Sequence, residues 1–177
     1  MINASLGDYI SQLQLLAFFA GYPLIYTLVN FLATNRGEKI SFISNKWVAL
    51  LPFTYGLIGT LFIGLLLKNI SPDFSLQNIA REFMSPLEVW AIMSVLFWIP
   101  ALSKKPIFSL LHSLPFFLIL IKDFFLQATS NSGMFMIEND MKMYSISFLL
   151  NIAALLFMYA VLYCLRYFRV SKNATLN

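Results

Sequence analysis

The sequence predicts an all-α, polytopic membrane protein of about five transmembrane helices, with the N-terminus outside and the C-terminus in the cytoplasm. Three observations predict it. Five apolar stretches, each followed by a short polar break, occupy most of the 177 residues. Hydrophobic residues make up 59% of the chain and charged residues 11%, against about 45–50% and about 25% in soluble domains. The basic residues gather at the ends of the stretches, as membrane insertion requires. A bilayer core about 30 Å thick needs roughly 20 apolar residues of helix. The breaks, of roughly 10–20 residues, are too small for a separate soluble core, so residues 1–177 form a single transmembrane helical domain.

The first stretch, Leu13–Ala33, carries Ala17 and Gly21 at four-residue spacing and the polar amide of Asn30. The second, Trp47–Leu67, holds Gly56, Thr60 and Gly64 at four-residue intervals, with Gly59 beside them. Small residues at that spacing leave a groove for another helix backbone. Packing within the chain is the plain reading, and packing between copies is the sharper one. Between the second and third stretches, Leu76, Ile79, Ala80 and Phe83 recur at helical spacing. That is the pattern of a short amphipathic helix on the outer membrane surface, or of a solvated loop that is helical by chance.

The third stretch, Pro86–Leu102, opens on Ser85-Pro86-Leu87-Glu88. A capping residue, proline at the first helical position and glutamate at the third predict a helix start there. Pro100 should end or kink that helix. About 16 residues fall short of a full span, so the third helix would need snorkelling or local thinning. With the fourth stretch, Pro106–Gln127, also read as short, the alternative is a re-entrant hairpin. The Ala128–Met143 connection has no strong periodicity and is expected to be mobile. The fifth stretch is Tyr144–Phe168.

Charge sets the orientation. With five crossings, Arg36, Lys39, Lys46, Lys104, Lys105, Arg166, Arg169 and Lys172 share one side, eight of the twelve basic residues. The positive-inside bias makes that side cytoplasmic. A net charge of +4 spread over span ends is no nucleic-acid footprint, and no direct nucleic-acid binding is expected. No cleavable signal peptide is expected either. No internal repeat is evident, and five spans do not divide into the inverted halves of many transporters. The lone Cys164 excludes an intrachain disulfide and reads as a buried small hydrophobe. Trp47 and Trp90 fit the interfacial belts.

Among the polar residues inside apolar stretches, His112, Asp123, Asn30 and Asn151 stand out. An ionisable group in a membrane is a functional hypothesis by default. His112 and Asp123, eleven residues apart, share a helix face but lie about 16 Å apart along the axis. That is too far for direct proton transfer. A bond from His112 to a backbone carbonyl freed by Pro115 is the plainer reading. Asn30 and Asn151 are expected to hydrogen-bond across helices. One histidine excludes bis-histidine haem and paired-histidine zinc sites. No GxSxG, HExxH or P-loop pattern occurs. No catalytic residue, cofactor or metal is therefore expected.

Of the classes left, a non-catalytic membrane subunit fits best: a homo-oligomer that anchors or senses for a larger assembly and recruits a cytoplasmic protein partner. Arg166, Arg169 and Lys172, with Tyr163 and Tyr167, form a basic aromatic exit suited to that partner or to anionic lipid. A small oligomeric ion channel or transporter is the alternative, though a conduit should line one helical face with polar groups. Small size, the span pattern and short basic breaks such as Ser103-Lys104-Lys105-Pro106 resemble accessory membrane subunits of bacterial defence operons. The membrane component of the Kiwa anti-phage system is the nearest example. The resemblance lies in size and span pattern, with no specific residues. It implies a tetramer-like inner-membrane assembly that recruits a cytoplasmic DNA-binding effector in antiviral defence. On a cytoplasmic tail, the Asn173-Ala174-Thr175 sequon would go unused.

Overall fold

The computed structural model describes residues 6–34, 38–70, 85–129 and 134–174, with side chains within 12–34, 46–70, 85–126 and 141–165. Among the described residues there is helix and no strand. The helices are α1 (Leu6–Phe19), α2 (Tyr22–Thr34), α3 (Glu38–Ile70), α4 (Pro86–Ile92), a 3₁₀ helix (Met93–Trp98), α5 (Pro100–Ser103), α6 (Ile107–Thr129) and α7 (Met134–Ala174). Four segments are long and apolar enough to cross a membrane: Gln12–Thr34, Lys46–Ile70, Ile107–Leu126 and Met141–Leu165. The chain is a helical membrane protein.

The first span is broken. Pro23 has no N–H, and its ring crowds the carbonyl four residues back. Ala20 and Gly21 form a turn between α1 and α2. Pro52 and Pro115, by contrast, sit inside continuous helices. The fourth stretch is therefore not short: α6 runs for 23 residues straight through Pro115.

Side-chain pairs fix the direction of each helix. Asn69 of α3 meets Gln14 of α1, Phe62 meets Phe18, and Tyr55 meets Tyr22. Along α6, Asp123 meets Gln12, Phe116 meets Phe19, and Ser109 meets Tyr22. Both α3 and α6 thus run opposite to α1 and α2, and parallel to each other. The chain must return between them, and residues 85–103 make the return. Gly59 of α3 abuts Ser94, and Gly56 abuts Trp98, so this short leg descends antiparallel to α3. In α7, Ser147 lies at Gly21 and Tyr159 at Trp47, so the last helix runs with α1 and α2. The bundle has five alternating legs.

A leg so short can do this because it is stretched. Its α-helix starts at Pro86 as its sequence predicts, although the Ser85 side chain makes no cap bond. After Ile92 it tightens into the 3₁₀ form, which rises about 2.0 Å per residue rather than 1.5 Å. Pro100 then forces Ile99 into extended backbone, φ −74° and ψ 124°, because a residue before proline is disfavoured in the helical region. The contour from Pro86 to Ser103 reaches roughly 30 Å, about the thickness of a bilayer core. The 3₁₀ pitch adds about 3 Å of that contour, and the extended Ile99 adds a further part.

Aromatic rings fill the centre. Phe19 stacks on Phe116 with centroids 4.8 Å apart and meets Tyr55 and Phe62 edge-on. All four rings are essentially fully buried. In the first two spans 50% and 56% of the residues are buried, against 22% in the α6 and α7 spans.

Several expectations change. The Ala128–Met143 connection is mostly helix, since α6 ends at Thr129 and α7 begins at Met134. Cys164 is exposed rather than buried, because it lies on the uncovered surface of α7. The amphipathic segment around Leu76–Phe83 lies outside the described residues. So do the side chains of Arg166, Arg169 and Lys172, although α7 continues through their backbone to Ala174.

Candidate functional site

The polar groups inside the spans fall into two clusters. The first centres on His112, one and a half turns into α6. Its Nδ1 lies 2.8 Å from the hydroxyl of Tyr55 on α3. Either atom can be the donor, depending on the tautomer. The Trp90 ring of α4 stacks flat on the imidazole, 4.6 Å away and tilted only 7°. The Trp90 indole N–H donates to the backbone carbonyl of His112 at 2.9 Å. Phe97 and Tyr55 close the ring edge-on at 5.7 and 5.5 Å. Three aromatic side chains thus cage one imidazole, and its Nε2 is buried with no hydrogen-bond partner among the described residues. A buried polar atom left unpaired costs about 1–3 kcal/mol. His112 therefore pairs with a phenol and not with a carbonyl freed by Pro115, as the sequence suggested. Trp90 caps that ring instead of serving only as a belt residue.

Behind this pair, the ring of Tyr55 lies 4.5 Å from that of Tyr22. The Tyr22 hydroxyl pairs with Ser109 at 2.7 Å, and Ser109 in turn donates to the carbonyl of Pro106 at 2.6 Å. Two phenol pairs on adjacent turns of α6 bind that helix to α2 and α3. Asp123 takes no part. It accepts a bond from Gln12 at 3.1 Å near the far end of α6, so His112 and Asp123 share a helix but no site.

The second cluster repairs the broken helix. The last carbonyls of α1 and the first N–H groups of α2 have no partners within their helices. Asn151 of α7 donates through Nδ2 to the Phe18 carbonyl at 2.9 Å, and also to Ser147 O one turn back at 2.8 Å. The Ser147 hydroxyl accepts the Gly21 N–H at 2.7 Å. One turn of α7 therefore supplies a donor for the orphan carbonyl and an acceptor for the orphan N–H. Gly21 allows the approach, since a Cβ there would lie 2.7 Å from the Phe148 backbone nitrogen. Asn151 Oδ1 has no hydrogen-bond partner among the described residues.

The other expected site residues divide cleanly. Asn151 bonds across helices as expected, but Asn30 does not: its amide donates to Tyr26 O in its own helix at 2.8 Å. Gly56 and Gly59 line the seam with the short leg. Thr60 sits on the same seam, its hydroxyl accepting the Trp98 indole N–H at 2.9 Å. Gly64 is off the seam: a methyl group in place of its hydrogen would meet no described atom within 4 Å. Among the described residues, no group of three or more His, Cys, Asp or Glu gathers as a metal site would require.

Tyr22, Tyr55, Ser109 and Ser147 are the site residues that the sequence alone did not single out, and Trp90 was read only as a belt residue. Ser147 and Asn151 did carry a signal: two polar residues four apart, on one face of an otherwise apolar span. The aromatic partners carried none, because aromatic residues are abundant throughout the chain. No family model, curated protein or solved structure matches this chain.

Proposed function

We propose that this chain is a non-catalytic membrane subunit that assembles with further copies of itself and holds a cytoplasmic protein partner. The observation that carries the reading is where the polar groups are spent. Tyr22, Tyr55, Ser109, Ser147, Asn151 and the two indole N–H groups of the short leg all tie one helix of the bundle to another. A conduit would instead line one face with polar groups facing a path. The capacity for association lies outside, on α6 and α7, where Leu118, Phe125, Leu149 and Phe157 are each more than half exposed.

The orientation belongs to the same proposal. Five alternating legs bring the end of α2, the start of α3 and the end of α7 to one end of the bundle, and with five crossings eight of the twelve basic residues belong to that side. That side is the cytoplasm by the positive-inside bias, in what we take to be a bacterial inner membrane. Reporter fusions after Asn45 and after Asn177 then both read cytoplasmic, and one after Asp140 reads external. The basic exit of α7, Arg166, Arg169 and Lys172, is the docking end. A role in an anti-phage system of the Kiwa type is the specific form of this proposal.

The test is purification in mild detergent, with native mass measurement of what elutes. The reading expects several copies per particle and a co-purifying soluble protein that is lost when the three tail charges become Gln. It also expects no dissipation of an ion gradient when the protein alone is placed in liposomes. Monomeric particles that conduct ions would reverse it in favour of a channel or transporter.

A further inference from the structure

We propose that His112 is a proton-operated latch: the neutral imidazole seats the Trp90 side chain of the short leg, residues 86–98, against α6, and the charged ring loosens the leg at that point. The leg has two indole contacts with the rest of the bundle. At its far end, Trp98 bonds Thr60 in the seam with Gly56 and Gly59. At its near end, Trp90 is held through the ring and the carbonyl of a single residue, His112. Leu87, Ala91 and Ile92 also pack this end of the leg into the core, so the imidazole governs the seat of the Trp90 indole rather than the whole of the near end.

The cage suits a neutral ring. One nitrogen shares a proton with Tyr55, and the other faces aromatic carbon. A charged imidazole carries N–H on both nitrogens, and the Tyr55 oxygen can accept only one of them. Aromatic faces lend a cation modest support, but a buried charged donor without an acceptor costs more. Among the described residues, no carboxylate is within the cage to offset it. The groups facing the ring are Tyr55 from α3, with Tyr22 behind it, and Trp90 and Phe97 from the leg. The leg's one acidic residue, Glu88, is buried on its own first turn. On α6 itself the charged residues are Lys122 and Asp123, ten and eleven positions on, with Asp123 engaged by Gln12. Lys104 and Lys105 in the preceding turn are exposed.

The ring also has a way out. His112 lies about 8 Å along α6 from Ile107, where the helix begins. Trp90, the lid over it, is 38% exposed. Swinging Trp90 aside uncovers the ring at the outer surface of the bundle. The leg beneath the lid is in part 3₁₀ helix, whose bond geometry is the poorer one, so little regular structure opposes its loosening.

His112 is the only histidine in the chain, which makes the test direct. The full chain with ¹⁵N-labelled histidine, reconstituted in lipid, gives one imidazole spectrum that reports tautomer and charge. The same sample is followed from about pH 8 to about pH 3, so that the range extends below the one in which an unburied histidine changes charge. Backbone hydrogen exchange of residues 86–98, corrected for its intrinsic pH dependence, is measured alongside. The latch expects the ring to become charged and the leg to exchange several-fold faster over the same interval, and His112→Gln to show no such pH step. A ring that charges while protection of the leg is unchanged overturns the proposal, as does a ring that stays neutral to the acid end. Both readouts use the unmodified protein, so a His112→Gln protein that fails to fold leaves the outcome decided.

Discussion

Gly59 and Gly64 are the same residue on the same helix, five positions apart, and their surroundings differ completely. At Gly59 a Cβ would collide with Ser94. At Gly64 it would meet no described atom within 4 Å. Four-residue spacing joins Gly56, Thr60 and Gly64 into one apparent stripe, but each such step turns 40° beyond a full circle at 100° per residue. Over two steps the stripe drifts about 80° off the seam, while Gly59 stays beside Gly56 on its other flank. Small residues show where a helix can approach; a partner at the right angle decides where one does.

The contrast predicts its own largest effect. Gly59→Leu should cost about 3 kcal/mol or more, because Ser94 and the backbone behind it cannot retreat without undocking the short leg. Gly64→Leu should stay within about 0.5 kcal/mol of the parent. Thermal unfolding of the two proteins in the same detergent measures the difference, and equal losses would mean that Gly64 is covered as well.

A second seam sharpens the point. Gly21→Ala places a methyl group against the α7 backbone, which is less able to yield than a side chain, so about 2 kcal/mol should be lost. Ala17→Leu, one turn earlier at a half-buried position, should cost less than half as much.

The two asparagines give a smaller effect. Asn151→Leu leaves the Phe18 carbonyl without a donor and should cost about 1 kcal/mol, the usual scale of such bonds between membrane helices. Asn30→Leu removes only a bond to a carbonyl of its own helix and should cost nothing measurable. A comparable loss for both would show that Asn30 contacts something outside the bundle.

The smallest effect separates the two ends of the short leg. Trp98→Phe and Trp90→Phe each keep a ring and lose one indole bond, worth about 0.5–1 kcal/mol. Local hydrogen exchange should rise at the end that carries the substitution and not at the other.

Much of the framework was legible in the chain. Span positions followed from runs of apolar residues, the start of α4 from Pro86, and the break before α5 from Pro100, all of them local properties. The direction of the short leg needed pairs far apart in sequence, such as Ser94 with Gly59. Its 3₁₀ pitch was illegible because nothing in Met-Ser-Val-Leu-Phe-Trp disfavours an ordinary α-helix. Asn30 and Asn151 looked alike as polar residues in apolar runs, and only the break at Gly21 distinguishes them by creating an orphan carbonyl within reach of one. His112 was conspicuous as the only histidine. Its partner Tyr55 was one of eight tyrosines, and no spacing rule connects positions on different helices.

An odd number of legs has a practical consequence for anyone linking copies of this protein. α1 enters the bundle at the end where α6 finishes, and α7 leaves it at the opposite end, where α2 ends and α3 begins. In the five-crossing orientation proposed above, two copies inserted in the same direction would present the tail of one and the head of the next on opposite faces of the bilayer. A tandem fusion with a flexible soluble linker would force the second copy in upside down, or leave it uninserted. A working single-chain dimer needs one additional membrane-crossing helix as its linker.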